Sequence, residues 1–263
     1  MRMVTYVISI VFLLAYADQV LARPVLVFSG GFGSCAVAGS TSEIKSSAEM
    51  DELADRLRDQ SGEEPVQVRT CYALGSESTI YVTADELNIV DEPMTREEFY
   101  EVVRSTADFA GNSAPFYVWG QSHGGWTAMS LIANVGGLNY RLLTTVDPIS
   151  VTECGPVVFT GGVLTGSSEG CQRAPKDLEK AYPLIAKRVA HWKNWYQMEF
   201  SLLHSSPIPH ADENIERTFN ASWWVPMGSH SLTERDPAMW TKTSELTVTD
   251  LMQSGRPKVG SWR

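Results

Sequence analysis

Basic residues are scarce in this 263-residue chain: 21 Lys and Arg stand against 31 Asp and Glu, a formal net charge of −10. That balance repels polyanions and argues against nucleic acid or an anionic membrane face as the main partner. Cysteine is sparse as well. The four present, Cys35, Cys71, Cys154 and Cys171, include no Cys-x-x-Cys pair, and their spacings match no zinc site. Internal repeats and low-complexity tracts are missing, which argues against repeat architectures and disordered tails. After the first twenty or so residues no apolar run is long enough to span a bilayer.

What is present is ordinary globular composition, 43% hydrophobic and 20% charged, in a length that builds one sizeable domain or two small ones. The start reads as a secretory signal: Arg2 supplies the basic end, Val4 to Ala17 is apolar and uncharged, and Val20-Leu21-Ala22 offers a cleavage site after Ala22. Ala15-Tyr16-Ala17 is a second cleavage option, and an uncleaved membrane anchor is the competing reading. The expected organisation is a signal peptide over 1–22 and a single domain over 23–263, secreted or periplasmic, with no integral membrane segment once the signal is removed. Four cysteines suit an oxidising compartment. Cys154 and Cys171 bracket a short Gly/Thr/Ser-rich segment and are the favoured pair, which leaves Cys35 for Cys71; free buried thiols are the alternative. Asn220-Ala221-Ser222 is a glycosylation sequon, relevant only in a eukaryote.

Strand-like and helix-like runs alternate. Pro24 to Phe28 is a buried-strand run closed by Ser29-Gly30-Gly31-Phe32-Gly33-Ser34. Ser46 to Gln60 has helical periodicity, Val66 to Tyr72 alternates as a strand, and Ile80-Tyr81-Val82 reads as a short one. Thr95 with Glu98 forms a capping box for a helix reaching about Phe109. Tyr140 to Val146 is a strand ending at Asp147-Pro148. Ser150 to Ala174 lacks a period and reads as a small cap. Lys176 to about His191 reads as a helix, Trp192 to Phe200 as a strand and Ser201 to Arg217 as loop. Ala221 to Val225 is a last strand, and Pro237 to about Met252 a final helix. The pattern predicts an α/β fold: a mostly parallel central sheet with helices on both faces, whose chemistry gathers at the carboxyl ends of the strands.

One stretch organises the rest. The apolar run Phe116-Tyr117-Val118-Trp119 ends in Gly120-Gln121-Ser122-His123-Gly124, and a helix-compatible run begins at once. In that G-x-S-x-G arrangement the serine sits on a strained turn, and the glycines let strand and helix approach it. A serine hydroxyl needs a base and an orienting carboxylate to act as a nucleophile at neutral pH. Of five histidines, His230, in a Gly-Ser-His-Ser loop after the last strand, is the expected base, with His210 the runner-up. Asp147, at the end of the next strand, is the expected acid; Glu199 and Asp212 compete. Negative charge on a substrate oxygen calls for backbone N–H groups, one from His123 and one from Gly31 or Phe32.

These motifs resemble the α/β-hydrolase family in the chain order Ser122…Asp147…His230. Gly30-Gly31-Phe32-Gly33 resembles the family's oxyanion loop, without its usual leading histidine. Asp147-Pro148 is similar to the acid of secreted lipases of the pancreatic type, which follows the same strand. The resemblance implies acyl hydrolysis through a covalent acyl-enzyme, with no cofactor and no metal, on a small-molecule or lipid ester. A peptidase or amidase with the same triad, or a binding protein on the same fold, are the alternatives. The Ser150–Ala174 segment is short and mostly polar, which points to soluble or short-chain esters. Trp119, Trp126, Trp192, Trp195, Trp223 and Trp224 are candidates for an acyl pocket or for packing.

Overall fold

The computed structural model describes residues 22–32, 34–35, 47–72, 79–111, 113–154, 158–160, 163–165, 169–199, 203–220 and 228–254. The expected signal peptide (all but Ala22), Gly33 and the expected strand at 221–225 lie outside them. In chain order the main elements are β1 (Val25–Phe32), α1 (Ser47–Ser61), β2 (Val66–Tyr72), β3 (Ile80–Ala84), β4 (Ile89–Met94), α2 (Arg96–Ala110), β5 (Pro115–Gln121) and α3 (His123–Asn134). Then come β6 (Asn139–Val146), β7 (Val158–Thr160), β8 (Val163–Thr165), α4 (Tyr182–Arg188), β9 (Val189–Tyr196), β10 (Glu213–Glu216), α5 (Gly228–Glu234) and α6 (Pro237–Ser254).

Eight strands form one sheet in the order β10-β9-β6-β5-β1-β2-β3-β4. The six from β10 to β2 pair in parallel; β3 and β4 complete one edge in antiparallel fashion. The unbroken apolar runs of β1 and β5 follow from covering both faces. Val25 and Val27, with Phe116 and Val118, pack towards α2 and α3, against Phe99, Val103 and Met129. Their alternates Leu26 and Phe28, with Tyr117 and Trp119, pack towards α1 and α6, against Met50, Leu57 and Met239. The sheet is thus mostly parallel and flanked by helices on both faces, as the alternation of runs predicts.

Local chemistry sets several element ends. The Thr95–Glu98 capping box is formed: Thr95 Oγ1 accepts from Glu98 N at 3.3 Å, and Thr95 N donates to Glu98 Oε2 at 2.8 Å. α6 is fastened to the sheet by Asp250, whose carboxylate accepts from Arg141 Nε at 2.9 Å and from the Tyr117 hydroxyl at 3.0 Å. Trp240 of the same helix stacks on Trp119 with ring centroids 5.0 Å apart.

Four expectations need correction. The helix expected over Lys176–His191 is a 3-10 turn, Lys176–Ala181, followed by the short α4, and β9 begins at Val189. The apolar positions there satisfy a helical period, but Val189 and Trp192 are drawn into the sheet beside β6. β4 escapes the sequence reading because only Ile89 and Val90 precede the acids and Pro93. The expected loop over 201–217 contains β10, a four-residue edge strand. His230 stands in the first turn of α5 rather than in a loop.

Candidate active site

Ser122 joins β5 to α3 with φ 56° and ψ −126°, a backbone conformation costly for any residue with a side chain. Its surroundings hold it there. Ser122 N donates to Val146 O at 2.9 Å, and Ser122 O accepts from Gly125 N at 3.0 Å and Ile149 N at 3.1 Å. The flanking glycines are a steric necessity. A Cβ on Gly124 would overlap the Ser29 carbonyl of β1, and one on Gly120 would lie 2.7 Å from the Gly124 carbonyl carbon.

Asp147 follows β6 with φ 45°, and its N–H donates to Trp195 O at 2.6 Å. The carboxylate is fully buried and accepts from several sides. Oδ1 takes Ser205 N at 2.7 Å; Oδ2 takes Gln197 Nε2 at 3.0 Å and His230 Nδ1 at 2.6 Å. A carboxylate only accepts, so Nδ1 of His230 carries a proton, and whenever the ring is neutral its Nε2 is an acceptor. His230 is itself buried. Its Nε2 lies 3.3 Å from Nε2 of Gln121, the residue before the serine. Among the described residues Ser122 Oγ makes no hydrogen bond to His230.

The turn after β1 runs directly against the serine: a Cβ on Gly31 would come within 2.6 Å of both Ser122 Cβ and Gln121 Oε1. Gly31 O accepts from Ser34 N at 3.0 Å, which keeps the turn tight, and Phe32 ends β1 beside it. A Cys35–Cys71 disulfide ties the turn to β2. His123 opens α3, at the helix end where backbone N–H groups point outward. Its ring, 6.0 Å from that of Tyr72, is held neutral: burial, and then the charge His230 can carry, lower its pKa to about 4.

The rival candidates are engaged elsewhere. Glu199 accepts from Phe219 N at 2.8 Å, Asn220 N at 2.6 Å and the Ser229 hydroxyl, so it fastens the approach to α5. Asp212 accepts from Trp192 N at 2.6 Å. His210 is exposed in a turn and His191 is exposed on β9; His204 Nδ1 lies 3.1 Å from Ser205 O. A Cys154–Cys171 disulfide packs with Ile149 and Leu203, and Cys171 O accepts from His204 N at 3.1 Å, bracing the segment that presents Ser205 to Asp147. The expected cap over Ser150–Ala174 contains the β7–β8 ribbon among its described parts. Trp119, Trp126, Trp192 and Trp195 are core residues; Trp223 and Trp224 lie outside the described residues.

Three residues around the site are missed by sequence reasoning: Gln197 and Ser205, which hold Asp147, and Gln121, which meets His230. Only Gln121 carried a signal, its place inside the serine motif. Among the described residues no three or more His, Cys, Asp or Glu side chains cluster as a metal site. Two surface grooves, of about 180 Å³ between α1 and α6 and about 490 Å³ along α6, include none of Ser122, Asp147 or His230 in their lining.

Neither a protein-family model nor a curated protein matches the chain. Solved structures do. An esterase from Pyrobaculum calidifontis is 15% identical with a TM-score of 0.40, over 88% of this chain and 76% of that one. Carboxyl esterase 2 from Tuber melanosporum is 14% identical with a TM-score of 0.41, over 89% and 79%. The RedJ thioesterase of the prodiginine pathway in Streptomyces coelicolor is 12% identical with a TM-score of 0.41, over 87% and 86%. Likenesses of this size add no chemistry to what the strand order and the site geometry give.

Proposed function

We propose that this chain, an α/β-hydrolase by fold, is a serine hydrolase of carboxylic esters or thioesters. The observation that supports it most is the buried 2.6 Å contact between His230 Nδ1 and Asp147 Oδ2, beside a serine on a strained strand-to-helix turn. Ser122 Oγ attacks the acyl carbon and its proton passes to His230 Nε2. Asp147 keeps the ring in the Nδ1–H tautomer and offsets the imidazolium charge. Backbone N–H groups of His123 and of Gly31 or Phe32 take the developing oxyanion. His230 then protonates the departing alcohol or thiol. Water, deprotonated by the same ring, releases the acid and restores Ser122. The substrate is a small-molecule or lipid ester, and the working form is a single secreted domain over 23–263.

The test is fluorophosphonate labelling of the purified protein with mapping of the modified peptide. Wild type should carry the label on Ser122. Ser122→Ala should abolish both labelling and hydrolysis of short acyl esters while remaining folded, and Asp147→Asn should lower the rate about 10⁴-fold. Undiminished hydrolysis by folded Ser122→Ala would sink the proposal. One observation favours a second reading, a binding protein on this fold: the amide of Gln121, rather than Ser122, meets His230 Nε2. Folded wild-type protein that takes no label would favour it.

A further inference from the structure

His230 Nε2 has one lone pair, and in this structure the neighbour within reach of it is an amide nitrogen. Gln121 Nε2 lies 3.3 Å away. The orientation of that amide follows from the other side of the ring. Nδ1 is committed as a donor to Asp147. If the carbonyl end of Gln121 faced Nε2, that nitrogen would also need a proton and the buried ring would be a cation. For a neutral ring the amide therefore presents N–H, and its Oε1 lies on the side of Gly31. Gln121 is itself buried, so the contact is shielded from exchange with bulk water.

We propose that Gln121 is a positioning residue that occupies the base lone pair of His230 in the substrate-free site, and that an acyl ligand must displace it before Ser122 can transfer its proton. The inference rests on the hydrolase reading above and adds a regulation of the same site. The chemistry is a competition. Ser122 O–H and Gln121 N–H are two donors for one acceptor, and a donor to Nε2 stabilises the ring while it is neutral. Once Nε2 has accepted the serine proton, an N–H facing it is repelled. The amide must then swing clear or rotate to offer Oε1, which would be an acceptor for the imidazolium. The turn at Gly31 lies against Gln121 Oε1 and Ser122 Cβ, so a ligand that reaches the backbone N–H groups beside Ser122 comes up against the Gln121 amide. Binding and release of the base are thereby one event.

The experiment compares wild type with Gln121→Met, which keeps the length of the side chain and removes the donor, and Gln121→Glu, which puts an acceptor in its place. Thermal melts establish that each is folded. For a soluble ester, Gln121→Met should raise kcat/KM about three- to ten-fold, with the change carried by KM, because only the substrate-free state loses a hydrogen bond. Gln121→Glu should lose labelling of Ser122 by pinning a proton on Nε2. A residue that merely packs would not split KM from kcat in this way. A fall in kcat for Gln121→Met at constant KM would overturn the proposal, since Gln121 would then act in the transition state; so would unchanged constants.

A second readout stands apart from activity. In ¹⁵N-histidine-labelled protein the His230 Nε2 resonance should lie upfield of a free acceptor nitrogen in wild type and move downfield in Gln121→Met. Identical resonances in the two proteins would show that no such contact exists. If neither protein takes a fluorophosphonate label, the hydrolase reading fails, and this resonance still decides whether Gln121 holds His230.

Discussion

Asp147 is fully buried, and both of its carboxyl oxygens are met by donors. Donors from Ser205 N, Gln197 Nε2 and His230 Nδ1 converge on its two oxygens. Gln197 also donates to Leu203 O at 2.9 Å and accepts from Glu199 N at 3.0 Å. Gln197→Ala strands these partners and should cost about 1–3 kcal/mol of stability in urea unfolding, with slower labelling of Ser122. Gln197→Glu sets a second carboxylate beside the first and should be the more damaging near neutral pH. His123 supplies a pH prediction. Its folded pKa of about 4 lies below the ordinary histidine value of 6.5. The unfolded chain therefore binds a proton that the folded chain refuses. Stability attributable to this ring is full above pH 6.5 and declines as pH falls towards 4, by about 3 kcal/mol at the outside. Replacing it, as in His123→Gln, should flatten the acid side of a melting-temperature profile over that window. At this scale the sequence was readable where a residue type is demanded by its neighbours in the chain. The glycines around Ser122 are demanded by the turn, and the Asp-Pro at a strand end and the late Gly-Ser-His-Ser favour Asp147 and His230 over Glu199, Asp212 and His210; the two side chains meet at 2.6 Å. Gln197 and Ser205 were silent because their role comes from approach in space, across 50 and 58 residues of chain.

Among the elements, the central strands and the long helices are legible because burial on one or both faces leaves a period. Edges are not. β4 pairs along β3 while carrying Asp91 at φ 51° and Pro93, which has no N–H. Those residues spoil the strand signal, and they also blunt an edge that would otherwise invite pairing with another chain. α5 was hidden for a related reason. Gly228, Ser229 and Ser231 spell a turn, yet Ser229 is fixed by Glu199, and Thr233 Oγ1 donates to Ser229 O at 2.8 Å. The long helix α6 makes a different case, since the Asp250 carboxylate fastens it to β5 and β6, while Lys242 donates to Glu213 of β10 at 2.8 Å. Arg141 and Tyr117 both donate to Asp250, and Tyr117 has its pKa raised by burial and then by that neighbouring charge. Asp250→Asn should lower stability by about 1–3 kcal/mol in urea unfolding, since Arg141 is partly exposed and recovers some hydration. Trp240 fluorescence should report the change, as its ring stacks on Trp119 beside the helix.

For the molecule as a whole, the two disulfides flank the site from opposite sides of the sequence. Cys35–Cys71 closes 36 residues and anchors the Gly31 turn; Cys154–Cys171 closes 17 and steadies the segment behind Asp147. Chain-entropy estimates assign each about 3–4 kcal/mol. Replacing either pair by alanine should lower the unfolding midpoint. The Cys35/Cys71 variant should also show weaker Ser122 labelling at temperatures where it is still folded, because its loss frees the turn that abuts the serine. The two disulfides are consistent with an oxidising compartment; among the described residues no helix is long and apolar enough to cross a membrane. The order of the parts along the chain has a consequence in time. β1, β5 and β6, which seat Ser122 and Asp147, are synthesised first; His230 follows Asp147 by 83 residues, on a helix tethered through Ser229 to Glu199. A polypeptide still emerging therefore holds Ser122 without His230. On the proposed function, a copy that stops short of His230 has a serine with no base and attacks no ester.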